Sequence, residues 1–260
     1  MLIDKSGRVV IVTGASQGIG LAITKAFLAN GDSVMGCAEP TLEKAPHAQQ
    51  LRREYPQHFF YDSVDVTQTT EIKRFVANAE QRFHRIDIVV SNAGKNVFKG
   101  IDCEEEDWTH NFNLNLRSHW YLAKCARAAL TQSRGVILVI TSNHAFSTLP
   151  GCAPYNISKR ALLSLVQSLT IEWGPAIRTL GIAPGFIDTE GNQTWFDSHP
   201  DAKLARERTV NKHPVGRLGA PEEVGDLCLF LASEHAGFIA GTTIVMDGGR
   251  SAIMQDEDPD

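Results

Sequence analysis

Short, almost wholly apolar runs alternate along the chain with longer segments of helical period. The runs Val9–Thr13, Ser33–Cys37, Phe59–Val64, Ile86–Ser91, Val136–Thr141, Thr179–Ala183 and Thr243–Asp247 predict seven strands. Strands without polar alternation are those buried on both faces of a parallel sheet. Between them Thr69–Phe83 places Ile72, Phe75, Val76, Ala79 and Phe83 on one helical stripe, and Pro154–Trp173 repeats Leu162, Leu165, Val166 and Leu169 at intervals of three and four. Strand–helix alternation of this kind predicts an α/β fold: a doubly wound, Rossmann-type parallel sheet of about seven strands with helices on both faces.

No Pro-, Gly- or Ser-rich linker divides the 260 residues, so residues 1–260 are expected to form a single domain. Residues 188–214 have no strand character and carry Gly191, Trp195, Phe196 and Pro200, a long insertion expected to act as a substrate lid. Its Lys203, Arg206, Arg208 and Lys212, set against Asp201 and Glu207, read either as a solvated face or as cations that steer an anionic substrate. Residues 251–260 form a C-terminal tail that is acidic from Gln255 onward and expected to be frayed.

Composition narrows the class. A net charge of −5 argues against nucleic acid as a partner. No apolar run approaches the roughly 18 residues of a membrane helix, so no membrane partner is expected. The five cysteines are widely spaced and include no CxxC, which points to a reducing compartment, the cytoplasm, and to no metal site.

Two motifs carry chemistry. Strand Val9–Val12 runs into Thr13-Gly14-Ala15-Ser16-Gln17-Gly18-Ile19-Gly20 and then a helix. Glycines allow a sharp turn close to a pyrophosphate, and a helix start offers free N–H groups. The spacing is Gly-x3-Gly-x-Gly, distinct from both the GxGxxG fingerprint and the P-loop, and a purely geometric strand–helix turn uses the same residues. The second motif is Tyr155-Asn156-Ile157-Ser158-Lys159, where i and i+4 share a helix face. A cation beside a phenol favours phenolate and brings the tyrosine toward general acid/base duty. Ser142 and Asn92-Ala93-Gly94 each end a predicted strand, at the sheet edge where α/β proteins bind ligands.

With these residues in place, the sequence resembles the short-chain dehydrogenase/reductase family in its compact branch, from Gly7 to about Gly249. The resemblance rests on Thr13–Gly20, Asp65-Val66, Asn92-Ala93-Gly94, Asn115, Ser142, Tyr155/Lys159 and Pro184-Gly185 with Thr189. It implies an NAD(P)-dependent enzyme that transfers a hydride between nicotinamide and a small alcohol or carbonyl compound. Tyr155 would be the acid/base, Ser142 the anchor of the substrate oxygen, and Lys159 the cation serving the tyrosine and the nicotinamide ribose. Asn115 would support a water relay ending at Lys159. Gly14, Ser16, Gln17, Gly18, Ile19, Gly20, Asp65, Val66, Asn92, Ala93, Gly94, Pro184, Gly185, Ile187 and Thr189 would contact the cofactor. Ser91 and Leu180-Gly181 depart from the family's commoner residues, and no catalytic position is missing.

Glu39 follows the second strand, 19 residues past Gly20, and is expected to meet the adenosine ribose and select NAD over NADP. Relatives more often place this acid one position earlier, where Ala38 stands. Substrate contacts are expected from Ser142, His144, Tyr155 and Phe186, with Asn96, Asn143, Gln193, Cys152, Trp195 and Phe196 nearby. For His144 a bond to the backbone is an equal alternative. The polar lining suits a sugar, polyol or other secondary alcohol. The alternatives are a 3-oxoacyl thioester reductase and a dinucleotide-binding protein that performs no chemistry. The resemblance also implies a homodimer or homotetramer built on helices 104–129 and 154–173.

Overall fold

A computed structural model describes residues 7–253. Seven parallel strands, β1 (Val9–Thr13), β2 (Ser33–Ala38), β3 (Phe59–Ser63), β4 (Ile88–Ser91), β5 (Val136–Ile140), β6 (Arg178–Pro184) and β7 (Thr243–Met246), form one sheet in the order 3-2-1-4-5-6-7. β1, β4 and β5 are buried along their whole length, which explains why they lack polar alternation. Strand order reverses between β1 and β4, and the crevice above their carboxyl ends is where such sheets bind ligands.

Helices cover both faces. One apolar cluster joins α1 (Gly18–Ala29), α2 (Pro46–Glu54) and α9 (Pro221–Leu231) to the sheet through Phe27, Leu51 and Val224. The other packs α3 (Thr69–Phe83), α5 (Ser118–Ser133) and α6 (Tyr155–Trp173) through Phe75, Leu122 and Val166.

Two elements differ from the sequence reading. The expected helix 104–129 is α4 (Glu105–Phe112) and α5 joined by a π-helical turn, Asn113–Arg117. The stretch 188–214 has no strand, as expected, and carries two helices whose bounds the sequence did not give, α7 (Glu190–Asp197) and α8 (Ala202–Asn211), started by Thr189 and Asp201 as side-chain caps. Of the acidic tail, residues 254–260 lie outside the described residues. Among the described residues no helix is long and apolar enough to cross a membrane, and no cluster of potential ligands could hold a metal.

Candidate active site

The glycine turn is shaped by contact with β4. Gly14 turns the chain at φ +70°, and Gly20 lies so close behind it that a Cβ there would sit 2.1 Å from the Gly14 carbonyl oxygen. Bare backbone is the only chain that fits, so the turn exposes N–H groups at the start of α1. Ser16 and Ile19 are largely covered, while Gln17 is exposed at the helix cap. Thr13 locks the turn to its neighbour: its hydroxyl accepts from the backbone N–H of Asn92 and of Ala93, both at 3.0 Å. Asn92 returns the contact by donating its side-chain amide to the Thr13 carbonyl at 2.9 Å. The sequence reading passed over this clamp, because Thr13 read as the last residue of a strand.

Gly94 brings that loop to the catalytic side chains. A Cβ on Gly94 would lie 2.8 Å from Asn115 Oδ1 and 3.3 Å from Lys159 Nζ, so both groups converge on this backbone. Asn115 sits on the π turn, fully buried. It accepts from Lys95 N–H (3.1 Å) and donates to the Lys95 carbonyl (3.0 Å) and to Asn111 Oδ1 (2.9 Å). Asn111 in turn donates to the Pro154 carbonyl at 3.1 Å, which ties the π turn to the start of α6. Asn111 was not anticipated, although its i, i+4 spacing to Asn115 was a visible signal.

Ser142, Tyr155 and Lys159 meet above β5. Ser142 lies two residues past the end of β5 in extended conformation, and its hydroxyl accepts from His144 N–H at 3.2 Å. Lys159 is buried on the same helix as Tyr155, with Nζ 5.7 Å from the tyrosine ring centre and donating to the Ile140 carbonyl at 3.1 Å. Electrostatics depart from expectation here. Burial pushes the Tyr155 phenol up to about 12, with the Ser142 hydroxyl pulling back, and Lys159 is not among the groups that move it. Burial also brings Lys159 down to about 7. Desolvation therefore outweighs the cation–phenol attraction, and the ammonium answers to a backbone carbonyl instead.

The remaining expected residues fall into two groups. Pro184 ends β6, and Gly185 N–H donates to the Met246 carbonyl at 2.9 Å. Ile187 is buried and bridged to Gly219; Thr189 caps α7, its methyl 3.5 Å from where a Gly18 Cβ would lie. This strap runs from the end of β6 to the glycine turn. Glu39, Asp65 and Val66 lie apart, at the carboxyl ends of β2 and β3. The Glu39 side chain is exposed and its carbonyl is held by Ser63 Oγ at 2.8 Å. Asp65 Oδ1 accepts from Thr67 N–H and Oγ1 at 2.8 and 2.7 Å, and Val66 is buried.

At the mouth, Phe98, His144 and Tyr155 pack as three rings, their centres 5.3 to 6.0 Å apart. His144 Nδ1 is bonded to Thr148 Oγ1 at 3.1 Å, a side-chain contact in place of the backbone bond considered above. Phe186 stacks against Trp195 and Phe196. Of these, Phe196 is wholly buried and Gln193 is taken up by Asp197 and Arg206, so neither offers a free surface to a substrate.

A family profile described as enoyl-(acyl carrier protein) reductase matches residues 14–251. An uncharacterized oxidoreductase of Thermotoga maritima is 34% identical over 95% of this chain and 97% of its own length. Human dehydrogenase/reductase SDR family member 4 is 31% identical over 94% of this chain and 87% of its own. The solved aldohexose dehydrogenase of Thermoplasma acidophilum, in ligand-free form, superposes with a TM-score of 0.89 at 28% identity, each chain covered fully. Matches of this extent, on a seven-stranded sheet with these side chains at its carboxyl edge, place the chain in the short-chain dehydrogenase/reductase family, oxidoreductases that work with a nicotinamide cofactor.

Proposed function

We propose that the protein interconverts a secondary alcohol and its carbonyl compound at the expense of NAD(H), with Tyr155 as the acid/base. The observation that carries this reading is the convergence of Ser142, Tyr155, Lys159 and Asn115 on one end of the glycine-turn crevice. The crevice fits a dinucleotide. The bare backbone at Gly14 and Gly20 suits a pyrophosphate, and buried Lys159 has Nζ hydrogens left over for ribose hydroxyls. Gly14 to Gly20 would hold the phosphates, Glu39, Asp65 and Val66 the adenosine, and Asn92 to Gly94, Tyr155, Lys159 and Pro184 to Thr189 the nicotinamide end. A bound nicotinamide dinucleotide supplies or accepts the hydride.

The chain's own residues handle the oxygen and the proton. Ser142 holds the reacting oxygen through its hydroxyl. Tyr155, protonated at neutral pH in its buried setting, donates its phenolic proton in the reduction direction. In oxidation the phenol must first lose that proton. Lys159, brought close to neutrality, is suited to pass protons between Tyr155 and a relay supported by Asn115.

Glu39 at the end of β2 disfavours a 2′-phosphate by like-charge repulsion, which selects NAD(H). The structural likeness to an aldohexose dehydrogenase and the polar Asn143 and His144 at the mouth support a sugar, polyol or related secondary alcohol. A second reading, reduction of a 3-oxoacyl thioester, draws on the description of the matched family and on exposed Phe98, Phe146 and Leu149 around the mouth. Exposed Trp108, Trp120 and Ile171 on α4, α5 and α6 support a homodimer or homotetramer through those helices. Five unpaired thiols suit the cytoplasm.

The test is nicotinamide reduction with aldoses, polyols, hydroxy acids and secondary alcohols, beside oxidation of NADPH by acetoacetyl thioesters. Turnover in the first set supports the reading. Turnover confined to the thioesters replaces it with the second, and cofactor binding without any turnover refutes both. Sedimentation as a 28.5 kDa species alone would remove the oligomer.

A further inference from the structure

Two of the four basic residues in 188–214 that suggested an anionic substrate are answered. Arg206 is paired with Asp188 and also bonded to Gln193, and Lys203 lies 3.9 Å from Glu207. A different guanidinium is left open. Arg250 follows β7 on a turn fixed by Asp247, whose carboxylate accepts from Gly249 N–H (3.0 Å) and Ser251 N–H (2.8 Å). Asn143 donates to Ser251 Oγ at 3.5 Å and docks this turn on the loop that follows Ser142. Arg250 then lines a recess with Asn143, His144, Thr148 and Ser251.

The Arg250 side chain is half-buried, and no carboxylate oxygen among the described residues comes within 4 Å of it. It has no hydrogen-bond acceptor among them either. Two other sheltered guanidiniums are provided for, and a third, Arg52, lies over the Phe60 ring. Arg8 is paired with Asp32 at 2.8 Å, and Arg178 donates to the carbonyls of Ser233 and Ile239. A cation withdrawn from water without a partner is costly, and a carboxylate oxygen pair matches the guanidinium fork. The charged and titratable groups facing Arg250 are Asp247, which is occupied by the turn, and His144 and His213, both held toward the neutral form by burial and by Arg250.

His144 links this cation to the reaction. Its ring shares the recess with Arg250, and its centre is 6.0 Å from that of Tyr155. His144 is thus the residue common to the recess of Arg250 and to the ring cluster of the acid/base.

We propose that Arg250 receives the carboxylate of the substrate, so that the substrate class is a hydroxy carboxylate rather than a neutral alcohol. This deepens the reading given above and rests on Tyr155 and Ser142 as the reacting centre. The secondary CH–OH becomes C=O, the hydride leaves to the nicotinamide, the hydroxyl proton leaves through Tyr155, and the carboxylate at Arg250 is unchanged.

The experiment compares kcat/KM for two matched pairs, D-gluconate with D-glucitol and 3-hydroxybutanoate with 2-butanol, in wild type, Arg250→Met and Arg250→Lys. In at least one pair the wild type is expected to favour the acid by about tenfold or more, as one charge-assisted contact permits. Arg250→Met should reduce that ratio to near one, mainly through KM, and Arg250→Lys should restore part of it. Failure to turn over either acid, neutral partners preferred in both pairs, or an acid preference unchanged in Arg250→Met or fully kept in Arg250→Lys with unaltered KM would overturn the proposal. Turnover of the neutral compounds that is lost in Tyr155→Phe would leave the underlying reading standing when this one falls.

Discussion

The floor of the crevice and the segment above it are built on opposite principles. In the floor, β1, β4 and β5 deliver Thr13, Asn92 and Ser142 from fully buried strands, and backbone contacts such as the Gly14–Gly20 approach leave no room for alternatives. In the segment 188–214, Phe196 is the one large buried apolar anchor, and the other contacts of α7 and α8 include surface pairs: Arg206 with Asp188, His47 with Glu190, and Lys203 with Glu207 within α8. Exposed pairs of this kind contribute little individually, roughly 0 to 1 kcal/mol. Chemistry that must be the same for every turnover sits where packing fixes it. The proposed lid lies where a few weak contacts can be remade.

The contrast can be broken at either end. The largest effect is expected in the floor. Gly20→Ala puts a methyl against backbone that cannot yield, so stability should fall by about 3 kcal/mol, with the melting temperature down by roughly 10 °C and dinucleotide binding weakened. A variant that melts like wild type would show that the turn adapts.

Lys159→Met sharpens the electrostatic side. Burial lowers the folded-state pKa from 10.5 to about 7, so the unfolded chain binds the extra proton between those values. The cost of burying the charge is complete below pH 7 and disappears as pH rises toward 10.5. Lys159→Met should therefore be more stable than wild type at pH 6, by up to a few kcal/mol, with the advantage shrinking by pH 9. Chemical denaturation at the two pH values checks this. An advantage that grows with pH would contradict the assignment, and dinucleotide affinity should drop at both.

Smaller changes test the periphery. Glu39→Arg should shift the kcat/KM ratio toward NADP by roughly tenfold or more, since it replaces repulsion of a 2′-phosphate with attraction. An unchanged ratio would remove Glu39 from cofactor choice. Arg206→Met should hardly move the melting temperature, yet it should speed proteolysis within 188–214 in the ligand-free protein. Cofactor with substrate should slow that cleavage. Equal cleavage in both variants and both states would deny this segment the role of a lid.

Strand positions were legible in the sequence to within about two residues, because a doubly covered parallel sheet demands apolar, β-branched runs and little else produces them. Tyr155, Lys159 and Ser142 were legible for a related reason: spacing on one helix and position at a strand end determine where they lie. Three features were not. The π turn that carries Asn115 is hidden because apolar period continues through Asn113–Arg117. The helices within 188–214 are short, α8 has weak apolar periodicity, and both start at the caps Thr189 and Asp201, which composition alone does not distinguish from loop residues. Charge pairing across the fold is invisible in one dimension. Arg206 read either as a solvated charge or as a steering cation and is paired with Asp188, while Arg250, on which the sequence offered no reading, has no carboxylate oxygen within 4 Å among the described residues.

The central claim is that Tyr155 moves the proton while the crevice binds the cofactor without it. The most direct measurement is turnover and NADH affinity of Tyr155→Phe, which keeps the ring against Phe98 and His144 and removes only the hydroxyl. Turnover is expected to fall at least about a hundredfold with NADH affinity nearly unchanged. Turnover within a few-fold of wild type would take the proton away from Tyr155 and contradict the account.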